Sequence, residues 1–332
     1  MMHRQTRALV ALGLVAVAVM LPGLALTLIG HPVFAALAGL GALASVLATF
    51  AGGLRVGMCV SACLAVASGL ALVWADNPWW AALLMVVVAG AAGLTARAGY
   101  SAGVMPAAIV VAFVLAQPPV GTAATGGEAL EGVVTILVAG VFATIIATLV
   151  DPRDTPMPRS SYGWGQTITY AALLGVLAGL ASWFVAAREL HQAGAWLVMT
   201  ILLVVQPSLH DGFRKASERA VGTIVGVVIA LVIGLVALPA TLIYIIAIAC
   251  VALAVVESAR GSSYWEVVAF FTPAIILLVG VHGSITSTAQ DRLFATLIGA
   301  GAALVVMGAE ALVMLAARAN RVTTSVTVEA GG

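Results

Sequence analysis

The chain consists mainly of long apolar runs separated by short polar breaks. Within each run the hydrophobic positions are continuous rather than alternating with polar ones, which argues against the strands of a membrane barrel. Most runs approach or exceed the ~20 residues that an apolar helix needs to cross a bilayer. Twelve spans are predicted. In the first half they lie at 8–29, 33–50, 54–75, 79–96, 101–117 and 129–150, and in the second at 166–187, 193–208, 215–237, 239–256, 264–281 and 292–317. Many breaks are only a few residues long, so those neighbours are expected to form antiparallel hairpins. The first run follows Arg4 and Arg7 as a secretory leader would. It is longer than the ~7–15 apolar residues of a leader's core, and it is expected to remain as a helix.

Composition supports this reading. Of 332 residues, 63% are hydrophobic and 8% charged. A soluble domain carries about 25% charged residues, so this surface is too poor in charge to face water everywhere and must meet lipid. The net charge of +1 gives no basic field for nucleic acid. Cys59, Cys63 and Cys250 sit in apolar runs without a CxxC pair and read as small hydrophobes. No P-loop, GxSxG or HExxH pattern is present. The chain is therefore not expected to be an enzyme or to need a metal or cofactor, and active transport would draw on an ion gradient.

The placement of the few charges predicts an orientation. With the N-terminus in the cytoplasm, twelve basic residues fall on that side: Arg4, Arg7, Arg55, Arg97, Arg153, Arg159, Arg214, Lys215, Arg219, Arg260, Arg318 and Arg321. Only Arg188 and Arg292 fall opposite. Short loops rich in Lys and Arg mark the cytoplasmic face, so both termini are expected in the cytoplasm of a multi-pass inner-membrane protein. Trp74, Trp79, Trp80, Trp183 and Trp196 lie near predicted outer ends, where indole rings suit the interface.

The halves resemble each other weakly. His31 and His191 open corresponding spans, Gly53-Leu54-Arg55 matches Gly212-Phe213-Arg214, and Pro106 matches Pro273. An even number of spans per half implies two parallel six-helix repeats around an axis along the membrane normal. The expected organisation is a degenerate first repeat at 1–150, a proline-rich cytoplasmic linker at 151–165, a second repeat at 166–320 and a cytoplasmic tail at 321–332.

The second half carries denser chemistry. The sequence from His191 to Gly226, HQAGAWLVMTILLVVQPSLHDGFRKASERAVGTIVG, places Trp196 and Thr200 before a Gln206-Pro207-Ser208 turn, then Arg219, Gly222, Thr223 and Gly226. Two further blocks follow, SYWEVVAFFTPAIILL from Ser263 and DRLFATLIG from Asp291. Together they resemble the fusaric acid resistance (FUSC)-like integral membrane transporter family, which is related to aromatic acid exporters. The resemblance implies export or permeation of small organic anions, including aromatic carboxylates, and it implies homodimers. The larger relatives carry a soluble cytoplasmic domain that has no counterpart here, which puts family-typical regulation in doubt.

Each residue carries a structural reading beside the functional one. Arg214 and Lys215 either enforce topology or form a cytoplasmic vestibule that attracts anions. Arg219 lies deeper and either locks helices or binds a carboxylate bidentately. The pairs Gly222/Gly226 and Gly175/Gly179 suit close helix packing, and Thr223 would offer a hydroxyl beside the first pair. Pro273 frees a carbonyl with Thr272 as a compensating partner, and either bends a helix or breaks it at the substrate site. Phe270 and Phe271 either pack or stack an aromatic acid. Glu310, deep in the last span, is the candidate for proton coupling. The expected function is a proton-driven exporter of organic anions; a passive anion channel and a non-transporting scaffold are the rivals.

Overall fold

The computed structural model describes residues 2–121, 124–150, 161–236, 238–280 and 284–329, with side chains described between 13 and 309, apart from Leu209, Val255 and Ala259. These residues form twelve α-helices. In the first half they are α1 (Met2–Leu28), α2 (Ala35–Gly52), α3 (Leu54–Trp74), α4 (Pro78–Leu94), α5 (Ser101–Ala116) and α6 (Gly126–Val150). In the second they are α7 (Trp164–Ala187), α8 (His191–Val204), α9 (Leu209–Leu235), α10 (Ala240–Arg260), α11 (Tyr264–Gly280) and α12 (Ile285–Glu329). Short 3₁₀ turns at Pro32–Phe34 and Thr95–Ala98 complete the elements, and the described residues contain no strand. Eight helical stretches are long and apolar enough to cross a membrane; the apolar stretches Gly13–Leu28, Ser101–Ala116, His191–Val204 and Tyr264–Gly280 are shorter.

Helix ends follow local chemistry. Gly53 at φ 84° lets α2 and α3 follow one another without a longer loop. Asn77 starts α4 by accepting from the N–H groups of Trp79 (3.0 Å) and Trp80 (3.3 Å), with Pro78 at the first helical position. Thr125 and Glu128 form a reciprocal capping box at the start of α6, with the Glu128 carboxylate 2.8 Å from the Thr125 N–H. In the second half two starts fall six or more residues before the predicted spans. Ser208 caps α9, so that helix begins at Leu209 rather than 215. Helix α12 begins at Ile285 rather than 292, which puts Arg292 inside a helix rather than at its outer end.

Contacts divide the chain into two units, Met1–Leu202 and Leu203–Gly332. The first therefore takes in α7 and most of α8, which the sequence repeat assigns to the second half. In this unit α7 runs along α4, and the close approach depends on Gly175 and Gly179. A methyl at Gly175 would stand 2.8 Å from the Val86 carbonyl oxygen. One turn later, a methyl at Gly179 would run into the Val86 side chain and stand 3.1 Å from the Ala82 carbonyl oxygen. This pair sits in a close helix contact whose partner is a helix of the first half rather than one of the second. Helices α2, α3 and α6 pack together around four buried hydroxyls. Ser61 donates to Ser45 at 2.8 Å and lies 3.4 Å from Thr144, which in turn accepts from Thr49. Gly140 passes directly over Ser45 and Ser61. Such hydroxyls join helices where no water is available.

The second unit contains α9, α10, α11 and α12. Helix α11 packs on both α9 and α10, while α12 lies against α9 and α11. Gly222 and Gly226 lie where α9 meets α11. Their added methyls would collide with the Trp265 carbonyl (2.5 Å) and with Thr272 Cβ (2.6 Å).

Candidate functional site

The site is built where α9, α11 and α12 converge. Gly212 faces Met307 and Gly234 faces Ile285, the two contacts being equally spaced along both helices. This fixes an antiparallel register between α9 and α12. On α9 the facing stripe is Gly212, Ala216, Arg219, Thr223, Val227 and Ala230. On α12 it is Ala289, Arg292, Thr296, Ala300, Ala303 and Met307. The spacing alternates between three and four residues, as one helix face requires. Apart from the glycines and alanines, the polar members stand out: Arg219 is 3% exposed, Arg292 1%, and Thr223 and Thr296 are fully buried.

Each helix thus presents an arginine and, one turn later, a threonine. Because the helices are antiparallel, the order reverses across the seam. Thr223 stands at the level of Thr296, midway between the Gly212/Met307 and Gly234/Ile285 contacts. Arg219 stands at the level of Ala300, and Arg292 at the level of Val227. The two arginine levels are separated by ~12 Å at the 1.5 Å rise of a helix.

Helix α11 supplies a third wall. The Arg219 guanidinium donates to the Tyr264 hydroxyl at 2.9 Å. Further along the helix, Thr272 packs against Gly226 and is 1% exposed. Pro273 has no N–H for the Ala269 carbonyl, and that oxygen also lies against Gly226. The helix nevertheless continues unbroken through Pro273 to Gly280. Thr272 does not act as the expected compensating partner: its hydroxyl makes no hydrogen bond among the described residues, nor do those of Thr223 and Thr296. By contrast, Thr49 and Thr200 in the first unit donate to the carbonyl four residues back, at 2.7 and 2.8 Å.

Electrostatically the site is cationic. Arg219 and Arg292 lie within each other's field and repel, and Tyr264 is the third group in that neighbourhood. In a low-dielectric surrounding, two guanidiniums with hydroxyl donors between them suit an anion with several acceptor oxygens.

Of the residues singled out in the sequence, the second unit brings together Arg219, Thr223, Gly222, Gly226, Thr272 and Pro273. Phe270 is half-buried and Phe271 is 44% exposed on the side of α11 that leaves the bundle. Gly175 and Gly179 belong to the α4/α7 contact of the first unit and take no part in this site. Trp196 and Thr200 are likewise buried in the first unit, where Thr200 bonds the Trp196 carbonyl. At the start of α9, Lys215 donates to Gln206 at 3.1 Å, and Gln206 in turn bonds the Leu203 and Val205 carbonyls at the end of α8. Lys215 therefore anchors this turn, while Arg214 stays exposed beside Glu218 at 3.9 Å. The Glu310 side chain lies outside the described residues.

Sequence reasoning misses Arg292, Thr296 and Tyr264. Arg292 reads as an outer-face charge when hydropathy alone starts the last span. The usable signal is the repeated spacing, Arg219-x-x-x-Thr223 and Arg292-x-x-x-Thr296.

A separate cavity of about 250 Å³ lies in the first unit, lined by Asp76, Glu189 and His191 among others. Glu189 and His191 adopt left-handed φ values of 51° and 41° in the turn from α7 to α8. Its two carboxylates have the wrong sign for an organic anion.

Residues 177–306 match the family model described as fusaric acid resistance protein-like, a stretch that holds all of α9, α10 and α11 and α12 as far as Val306. No curated protein matches the chain, and no solved structure does. With eight helices among the described residues long and apolar enough to cross a bilayer, the match identifies a multi-pass membrane protein whose second half is similar to the fusaric acid resistance protein-like family.

Proposed function

We propose that this protein moves small organic anions, aromatic carboxylates among them, out across the inner membrane, driven by the proton gradient. The observation that carries the reading is Arg219: a guanidinium 3% exposed within an apolar helix and hydrogen-bonded to Tyr264. Ionisable groups are costly within a bilayer and are kept there for function or for pairing, and a guanidinium holds a carboxylate in bidentate fashion. The family match favours a membrane transporter over an enzyme. In this reading both termini face the cytoplasm, Arg214 lies at the cytoplasmic mouth, and Glu310 carries the coupled proton. The two halves act as parallel six-helix repeats, and the chain works as a homodimer.

The test is accumulation of a panel of aromatic and aliphatic acids in cells lacking or overproducing the protein. The proposal expects lower accumulation on overproduction and higher accumulation on deletion. Unchanged levels for every acid would refute it and favour a scaffold. Electrical recording in liposomes separates the exporter from a channel, since a channel passes macroscopic current without a proton gradient.

A further inference from the structure

We propose that the cavity at one end of the first unit binds the headgroup of an aminophospholipid, phosphatidylethanolamine, with its ammonium group at Asp76 and Glu189 and its phosphate on Arg188. The inference stands apart from the organic-anion reading, because it concerns the lipid around the protein and not the cargo.

Three observations carry it. The first is the cavity and its charge. It lies where α3, α5 and α7 end and α4 and α8 begin. Its volume of about 250 Å³ is several times the ~30 Å³ that one water takes up in the liquid. Leu115, Pro118 and Val185 give it an apolar side, and Asp76, Glu189 and His191 a polar one. Neither carboxylate makes an ion pair among the described residues. Two such carboxylates on one concave surface attract a cation. Among the described residues no three His, Cys, Asp or Glu side chains are grouped to hold a metal ion, so the cation that fits is organic. With a neutral imidazole at His191, the polar side offers three acceptor groups to the three N–H donors of a primary ammonium. The apolar side suits the two methylenes behind it.

The second observation is the setting. Trp74 at the end of α3 stacks on Trp80 near the start of α4, with ring centroids 5.2 Å apart. Trp79 meets Trp183 of α7 at 5.7 Å. Trp79, Trp80 and Trp183 are all exposed. Indoles gathered at helix ends mark the headgroup level of a bilayer, so a cavity at this end of the unit is bathed by lipid headgroups. The third observation is the order of the charges. The Arg188 guanidinium, next in the chain to Glu189, lies 5.9 Å from the centroid of the Phe184 ring, and that ring is exposed. Arginine holds phosphate bidentately. Carboxylates on the cavity, a guanidinium beside them and an exposed apolar ring under the guanidinium match the ammonium, phosphate and acyl chain of the lipid in turn. The backbone keeps Glu189 and His191 on the cavity at left-handed φ values, a strain that structures retain where a site needs it.

The test follows the melting temperature of the full-length protein in detergent as short-chain phosphatidylethanolamine, phosphatidylglycerol, phosphatidylcholine or free ethanolamine is added. A ligand that binds only the folded protein raises that temperature. Phosphatidylethanolamine should raise it by several degrees, and the other three should not match it at the same concentration. Phosphatidylglycerol lacks the ammonium, choline has no N–H for the carboxylates, and ethanolamine lacks the phosphate and chains. The double variant Asp76→Asn, Glu189→Gln should melt like wild type without lipid, since both side chains are exposed, and should lose the rise specific to phosphatidylethanolamine. Arg188→Gln should move the titration midpoint to a several-fold higher concentration. If the double variant does not fold, Glu189→Gln alone is read in the same way. No rise with phosphatidylethanolamine, an equal rise with phosphatidylglycerol or phosphatidylcholine, or a specific rise that survives in the double variant overturns the proposal. An equal rise with free ethanolamine also overturns it, in favour of a site for soluble amines.

Discussion

The close approach of α9 to α11 at Gly226 lends itself to a direct test. In Gly226→Ala the new methyl would stand 2.6 Å from Thr272 Cβ, 2.8 Å from Pro273 Cδ and 3.0 Å from the Ala269 carbonyl oxygen. Ordinary contact begins at 3.4 Å, so α9 and α11 must part by about 1 Å at this level. None of the three atoms belongs to the far end of a flexible side chain, so the strain passes into the helices. Overpacking of this kind costs about 1–3 kcal/mol, and rigid neighbours place it in the upper half of that range. Alanine recovers about 1 kcal/mol of helix propensity relative to glycine. The net expectation is a loss of about 1–2 kcal/mol. Gly301→Ala is the control, because nothing lies within 4 Å of its added methyl; only the propensity gain remains. Thermal unfolding of the full-length protein in detergent should therefore rank Gly301→Ala at or above wild type and Gly226→Ala several degrees below, at roughly 2–4 °C per kcal/mol. Benzoate exchange should fall with Gly226→Ala as well, because the displaced element carries Thr272. If Gly226→Ala melts at or above the temperature of Gly301→Ala, the close α9/α11 packing at Gly226 is wrong.

Tyr264→Phe removes the hydroxyl that accepts from Arg219 at 2.9 Å and should lower stability by about 1.5–3 kcal/mol, the scale of a hydrogen bond to a charged group, in the same melt. Asn77→Ala removes the cap of α4 and should cost about 1 kcal/mol without changing anion exchange, read in parallel melting and liposome assays. Ser61→Ala breaks the hydroxyl cluster at Ser45 and Thr144 and should cost about 0.6–1.7 kcal/mol, the measured range for such bonds between membrane helices.

Much of the helical layout is legible because apolar run length is a strong signal and the breaks carry recognisable chemistry. Pro78 after Asn77 marks one helix start, and Gly53 and Gly261 mark chain reversals with positive φ. Boundaries are less legible where a helix extends past its apolar part. The start of α9 holds Asp211, Arg214 and Lys215, and that of α12 holds polar Thr286, Ser287 and Thr288, so hydropathy alone places both starts too late. For α12 the error matters, since it turns Arg292 from a buried site residue into a topology marker. Spacing alone is similarly blind to partners: Gly175 and Gly179 announce a close contact, but nothing in the motif says that α4 fills it. The site itself is half legible. Arg219 and Thr223 announce themselves through a motif on one helix, whereas Thr296 and Tyr264 gain meaning only when three helices are placed side by side. Lys215 illustrates the converse: its charge suggests a vestibule, but Gln206 holds it in a turn.

The bond between Arg219 and Tyr264 joins residues 45 positions apart, and this bears on how the chain is made. Synthesis delivers α9 to the bilayer before α10 and α11 exist. Arg219 therefore enters without its phenol, at a cost below the ~2.5–3.5 kcal/mol of an arginine at a helix centre, since it lies at the polar edge of the apolar stretch. The apolar stretch from Val221 to Leu235 must hold α9 across the bilayer until Tyr264 leaves the ribosome. During that interval α9 is open to slipping outwards or being recruited by another polar helix. Biogenesis thus has a vulnerable interval set by the length of α10, and lengthening that segment would prolong it without altering the finished fold.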